Sequence, residues 1–107
     1  MTQAELYTAL KSLGMPVAYG EFVAPGVPPP FITYQFYNND DIMADDKNAI
    51  AVDTYRVELY TKVKDPATEK LIQDKFKELN LPYSKTEDYI ETEKMRQIVY
   101  EIELLGG

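Results

Sequence analysis

The sequence predicts an α+β fold: a single domain in the order α-β-β-α-β-β, with a four-stranded, mainly antiparallel sheet and two helices packed on one face. Three observations predict it. Two amphipathic runs carry helix start and stop residues, four runs alternate apolar and polar residues at strand period, and 107 residues suit one core. Two one-sided helices and a one-sided sheet close a single core when both helices lie on the same side. The αββ pattern occurs twice, but Thr2 to Tyr37 and Asp65 to Leu105 do not align, which points to architecture rather than duplication.

Thr2-Gln3-Ala4-Glu5 has the spacing of a capping box, in which hydroxyl and carboxylate each accept from a free backbone N–H. Leu6, Leu10 and Leu13 follow at helical spacing, Tyr7 and Ala9 widen the stripe, and Gly14 with Pro16 stops it. Pro16, Pro25, Pro28, Pro29 and Pro30 lack the N–H that a helix or central strand needs, so Met15 to Pro30 reads as an extended connector. Phe31 to Tyr37 alternates, with Ile32, Tyr34 and Phe36 on one face and Thr33, Gln35 and Tyr37 on the other. A second strand is expected over Val52 to Val63, with Tyr55, Val57 and Leu59 inward and Arg56, Glu58 and Lys62 outward. The two form a hairpin with a long acidic loop.

Asp65-Pro66 reads as an N-cap followed by proline at the first helical position, where its fixed φ and missing N–H do no harm. Leu71, Ile72, Phe76 and Leu79 make the apolar face of this helix, Lys70, Asp74, Lys75 and Lys77 point outward, and Asn80 and Pro82 end it. Pro82 to Ile90 and Lys94 to Leu105 are strand-like, separated by Glu91-Thr92-Glu93. In the last, Ile98, Tyr100, Ile102 and Leu104 share one face and Glu101 and Glu103 the other.

Eleven basic against eighteen acidic residues give a net charge of −7, which opposes nonspecific binding to nucleic acid or to anionic lipid. There is no Cys and no His, so thiolate chemistry, disulfides and the commonest acid/base side chain and metal ligand are missing. No apolar run approaches the roughly 20 residues that span a bilayer, and the N-terminus lacks the pattern of a secretory leader. The composition predicts a protein of a cytoplasm-like compartment that is not an enzyme and takes no cofactor or metal.

The candidate functional residues are surface residues. Asn38 to Asn48 lacks the Asp spacing, central Gly and terminal Glu of a calcium loop, so a solvated acidic loop explains it. Its Ile42 and Met43, flanked by Asp40, Asp41, Asp45 and Asp46, either dock into a neighbouring subunit or tuck back onto their own sheet. This makes the loop the candidate contact for a subunit or partner. Arg56 and Arg96 are candidate interface charges, the default for an outward arginine being a cross-strand pair with Glu58 or Glu101. Glu87, Asp88, Glu91 and Glu93 read as ordinary strand-end charges rather than a catalytic carboxylate pair.

Thr54 to Lys62 with its Glu58-Leu59-Tyr60 centre, Asp65 to Ile72, Leu81 to Lys85, and the closing Met95 to Ile102 together resemble small tail-completion or tail-terminator proteins of long-tailed bacteriophages and prophages. The Pro28-Pro29-Pro30-Phe31 approach to the first strand fits the same pattern. The resemblance implies a head–tail joining subunit that assembles into a ring, six-fold in the virion, and as a monomer or ring when alone. Its implied partners are further copies of itself, the tail-tube protein and the head connector protein. It implies no membrane and no specific nucleic-acid binding, although DNA passes through the ring. The implied location is the bacterial host cytoplasm during assembly, then the virion head–tail junction. The residues alone leave open an alternative, a small cytosolic α+β binding or regulatory domain without catalytic activity.

Overall fold

A computed structural model describes residues 1–21, 26–45 and 47–106, with the backbone alone at 44 and 47–49. Pro25 and Asp46, both singled out in the sequence, lie outside the described residues. The order is α1 (Gln3–Lys11), β1 (Val17–Tyr19), β2 (Phe31–Asn39), β3 (Ile42–Ala44), β4 (Lys47–Ile50), β5 (Val52–Thr61), α2 (Pro66–Glu78), β6 (Tyr83–Ile90) and β7 (Met95–Leu105). Five strands form one mixed sheet in the order β1-β2-β5-β7-β6, and β3 and β4 pair as a separate ribbon.

Both helices start as local chemistry dictates. Thr2 and Glu5 close the reciprocal capping box of α1. Asp65 accepts from the Thr68 N–H at 3.2 Å, with Pro66 opening α2. Their stops are equally specific. Gly14 sits at φ +85°, a conformation that glycine reaches at little cost. Asn80, at φ +56°, follows α2, and the Asn80 and Leu81 N–H groups donate to the Lys77 and Phe76 carbonyls at 3.1 and 2.8 Å. That pair of bonds is a Schellman end, and Leu81 packs against the core beyond it.

Both helices lie on the same sheet face. Leu6 and Leu10 from α1 and Ile72 and Phe76 from α2 are fully buried in one cluster with Ile32, Tyr34, Tyr55, Val57, Leu59, Ile98, Tyr100, Ile102 and Leu104. Period-two alternation requires this set, since Val57 pairs with Tyr34 and with Tyr100, and Leu59 with Ile32 and with Ile98. Each such side chain contributes about 1.5–3 kcal/mol of transfer free energy on burial. Phe76, Tyr83 and Tyr100 meet at ring separations of 5.4 to 5.6 Å, tilted or edge-to-face.

The expected architecture needs four corrections. The connector contains a fifth strand: β1 pairs parallel with β2, Val17 opposite Ile32, held at its ends by Ile32 N–H to Pro16 O (2.9 Å) and Gly20 N–H to Tyr34 O (2.8 Å). Three residues are too few to display a period. The acidic loop is mostly the ribbon β3–β4, which continues the β2–β5 hairpin. Leu71 is half exposed rather than part of the α2 core face, and Glu69, at i−3 and i−7 from Ile72 and Phe76, takes the buried place. The first helix ends at Lys11 and β5 at Thr61, each two residues short of expectation, which leaves Lys62 beyond the strand. No helix is long and apolar enough to cross a membrane, among the described residues.

Candidate docking surfaces

The ribbon is built on a polar clamp. Asp40 N–H donates to the Val52 carbonyl at 2.8 Å, and Asp41 Oδ1 accepts from the Val52 N–H at 2.9 Å and from the Asn39 amide. The same Asn39 amide donates to Asp53 Oδ1 at 2.8 Å. Asp41 is therefore occupied at the ribbon base, while Asp40 and Asp45 are exposed and Asp46 is outside the described residues. Above the clamp Ile42 pairs with Ile50, and Ile42, Met43 and Ile50 are 53%, 59% and 45% exposed. The apolar pair thus stands off the sheet instead of folding back onto it. Two strands without a third or a helix to pack on are marginal in water.

The sheet face away from the helices carries a second surface. Its centre is Glu58, 8% exposed, whose Oε2 accepts from Thr33 Oγ1 (3.1 Å) and the Tyr60 hydroxyl (2.7 Å), and whose Oε1 accepts from Gln35 Nε2 (3.2 Å). Gln97 Nε2 donates to the Tyr60 oxygen at 3.0 Å, and the Phe31 ring stacks on Tyr60 at 4.9 Å. Among the described residues the donors to the Glu58 carboxylate are all neutral. Burial, then the bond to Glu58, pushes the Tyr60 phenol up to about 12. Beside it Arg56 donates to Glu101 at 3.0 Å and lies 3.7 Å over the Tyr37 ring, so this arginine is engaged within the sheet.

A third grouping ties α2 to the sheet. Glu69, 3% exposed, has Lys85 Nζ 2.6 Å from Oε1 and Lys64 Nζ 2.7 Å from Oε2. Lys64 also donates to Glu87 at 2.6 Å, where Arg96 arrives at 3.2 Å, and Lys85 donates to Gln73. Burial raises the Glu69 carboxyl, but Lys64 and Lys85 outweigh it and leave it below its ordinary value. Bonds to Glu69 and Glu87 raise Lys64. Burial also pushes up the Tyr100 phenol, which donates to Gln73 at 3.0 Å.

Arg96 and Glu87 are accordingly brought together as an ion pair on the helix side of β6 and β7, and Arg56 is not near them in the register. A groove of about 680 Å³ runs beside the start of β6, rimmed by Leu79, Leu81, Pro82, Tyr83 and Leu105. No group of three or more His, Cys, Asp or Glu is placed to hold a metal, among the described residues. Sequence reasoning missed Glu58 and Glu69 as hubs. The 69, 72, 76 spacing signalled Glu69, whereas the donors to Glu58 come from two strands and show no local pattern.

These features define a class: a single α+β domain with helices on one sheet face, a polar open face, and an apolar ribbon projecting past the core. No protein-family model and no curated protein matches the chain.

Proposed function

We propose that the chain is a structural assembly subunit of the tail-completion or tail-terminator kind that its sequence resembles, working as a closed ring through protein–protein contacts. The observation that carries this reading is the β3–β4 ribbon, which exposes Ile42, Met43 and Ile50 beyond the core. Isolated ribbons gain stability by packing on something else, and in a ring the adjacent subunit or the terminal tube ring supplies it. The function asks for steric fit rather than chemistry: one ring face matches the last tube ring and halts its growth, the other meets the head connector. A net charge of −7 favours DNA passing without adhesion.

Light scattering over a concentration range, with and without a cognate tail-tube protein, tests it. A closed particle near six subunits is expected once the tube protein is present. A chain that ignores the tube protein at every concentration would sink the reading. Replacing Ile42 and Met43 with Ser is expected to weaken ring formation without altering the denaturation midpoint; unchanged tail joining removes the ribbon from the mechanism.

A further inference from the structure

Strand β6 is an outer strand of the sheet, and its eight residues pair only with β7 among the described residues. All but Ile90 are exposed, including Tyr83 and Tyr89 at 39% and 44%. An open edge of this length is a template for another strand. Native edges are commonly guarded by a lysine that stands off them. Here Lys85 is turned back onto Glu69 and Gln73 instead.

The residues of β6 also specify which strand fits. In an antiparallel ladder, residues facing each other either both exchange backbone bonds or both do not. Two copies of one strand therefore pair only in registers where some residue meets its own twin on the two-fold axis. Three such residues lie near the middle of β6. An axis at Lys85 opposes two ammonium groups, and one at Glu87 opposes two carboxylates; like charges directly opposite destabilise. An axis at Thr86 places Lys85 against Glu87, Ser84 against Asp88 and Tyr83 against Tyr89, and each pair occurs twice. Ser84–Asp88 and Tyr83–Tyr89 are hydrogen-bonding and aromatic pairs of the kind that stabilise sheets, and Lys85 and Glu87, each already ion-paired within its own chain, meet without like-charge repulsion. The Tyr89 N–H donates to the side-chain Oδ1 of the preceding residue, Asp88, at 2.8 Å.

We propose that β6 pairs antiparallel with β6 of a second copy of this chain, Thr86 against Thr86, joining two five-stranded sheets edge to edge. The contact is isologous and keeps both helix layers on the same side of the combined sheet. It does not rest on the ring reading, because it uses neither Ile42 nor Met43, and it joins two free chains or chains of two rings, since a two-fold contact cannot lie inside a ring whose faces differ.

The chain has no cysteine, so Thr86→Cys is a clean probe. Cross-strand Cβ atoms lie roughly 4.5–5.5 Å apart and those of a disulfide about 3.5–4.5 Å, so the bond closes after a small approach of the two strands. In oxidised glutathione, T86C is expected to give a disulfide-linked dimer on a non-reducing gel. S84C and D88C are each expected to stay unlinked alone and to link when mixed. Thr86→Lys, which sets two ammonium groups on the axis, is expected to lower the solution mass from twice 12.3 kDa to 12.3 kDa. The proposal is overturned if S84C links to itself as fast as T86C, or if T86C stays unlinked while its denaturation profile matches the wild type. A wild-type mass of 12.3 kDa up to millimolar concentration overturns it as well.

Discussion

Tyr60 donates its hydroxyl at 2.7 Å to Glu58, two residues earlier on β5, and so satisfies a buried carboxylate on the face that no helix covers. Tyr60→Phe removes that donor and keeps the ring stack with Phe31. Hydrogen bonds to charged groups contribute about 1.5–3 kcal/mol, and Thr33 and Gln35 remain as donors, so a loss of about 1–2 kcal/mol is expected. The urea midpoint should fall with no change in slope. The same phenol has a folded value of about 12 against an ordinary 10.0. A value raised by folding stabilises fully below the ordinary one and is lost above it, so stability should decline as pH rises from 10 toward 12. Ultraviolet titration of the tyrosines, set beside urea melts at each pH, checks the coincidence.

Glu69→Gln leaves two lysines beside a neutral amide. Breaking a buried pair costs about 3–5 kcal/mol; because Lys64 and Lys85 reach solvent, we expect about 2 kcal/mol. The acid limb tests the sign. Folding lowers the Glu69 carboxyl below its ordinary 4.5, so its contribution is present above that value and is lost as pH falls through the folded one. The wild type should lose its advantage over E69Q across that acid range; a gap that stays constant with pH contradicts the assignment.

Leu71 and Ile72 are adjacent in sequence and opposite in consequence. Leu71→Lys, at a half-exposed site, should change stability by no more than about 0.5 kcal/mol. Ile72→Ala, at a fully buried one, should cost about 2–4 kcal/mol. Chemical denaturation of the two variants side by side decides between this α2 face and the one read from periodicity.

Asn80 holds φ +56° at the end of α2, where glycine meets less steric resistance than any side chain. Asn80→Gly should therefore stabilise by a few tenths of a kcal/mol, offset in part by the freer unfolded chain. A rise of about a degree or two in Tm is expected, and a fall would mean that the Asn side chain holds a partner of its own.

What was legible in the sequence was local. The Thr2–Glu5 box, the Asp65-Pro66 start, the Asn80 stop and the alternation through β2, β5 and β7 depend on neighbours a few residues away, and the structure has each of them. The α+β class follows, since those elements have one way to share a core. The strand β1 was hidden because its partner is fifteen positions distant, Val17 against Ile32. Leu71 misled because hydrophobicity was read without Glu69, whose burial depends on Lys64 before the helix and Lys85 after it. At the candidate surfaces, the sequence leaves the cross-strand partner of an outward arginine open between Glu58 and Glu101, and Arg56 takes Glu101 at 3.0 Å. The direction of Ile42 and Met43 was left open between docking outward and tucking inward, because it is set by the Asn39, Asp41 and Asp53 clamp.

That clamp has an evolutionary consequence. None of the side chains that fix the ribbon's base, Asn39, Asp41 and Asp53, belongs to the hydrophobic cluster that holds the fold. Aim and stability are thus encoded in separate sets of positions. The ribbon's base is thereby open to substitution at three polar positions without a change in the apolar cluster beneath it.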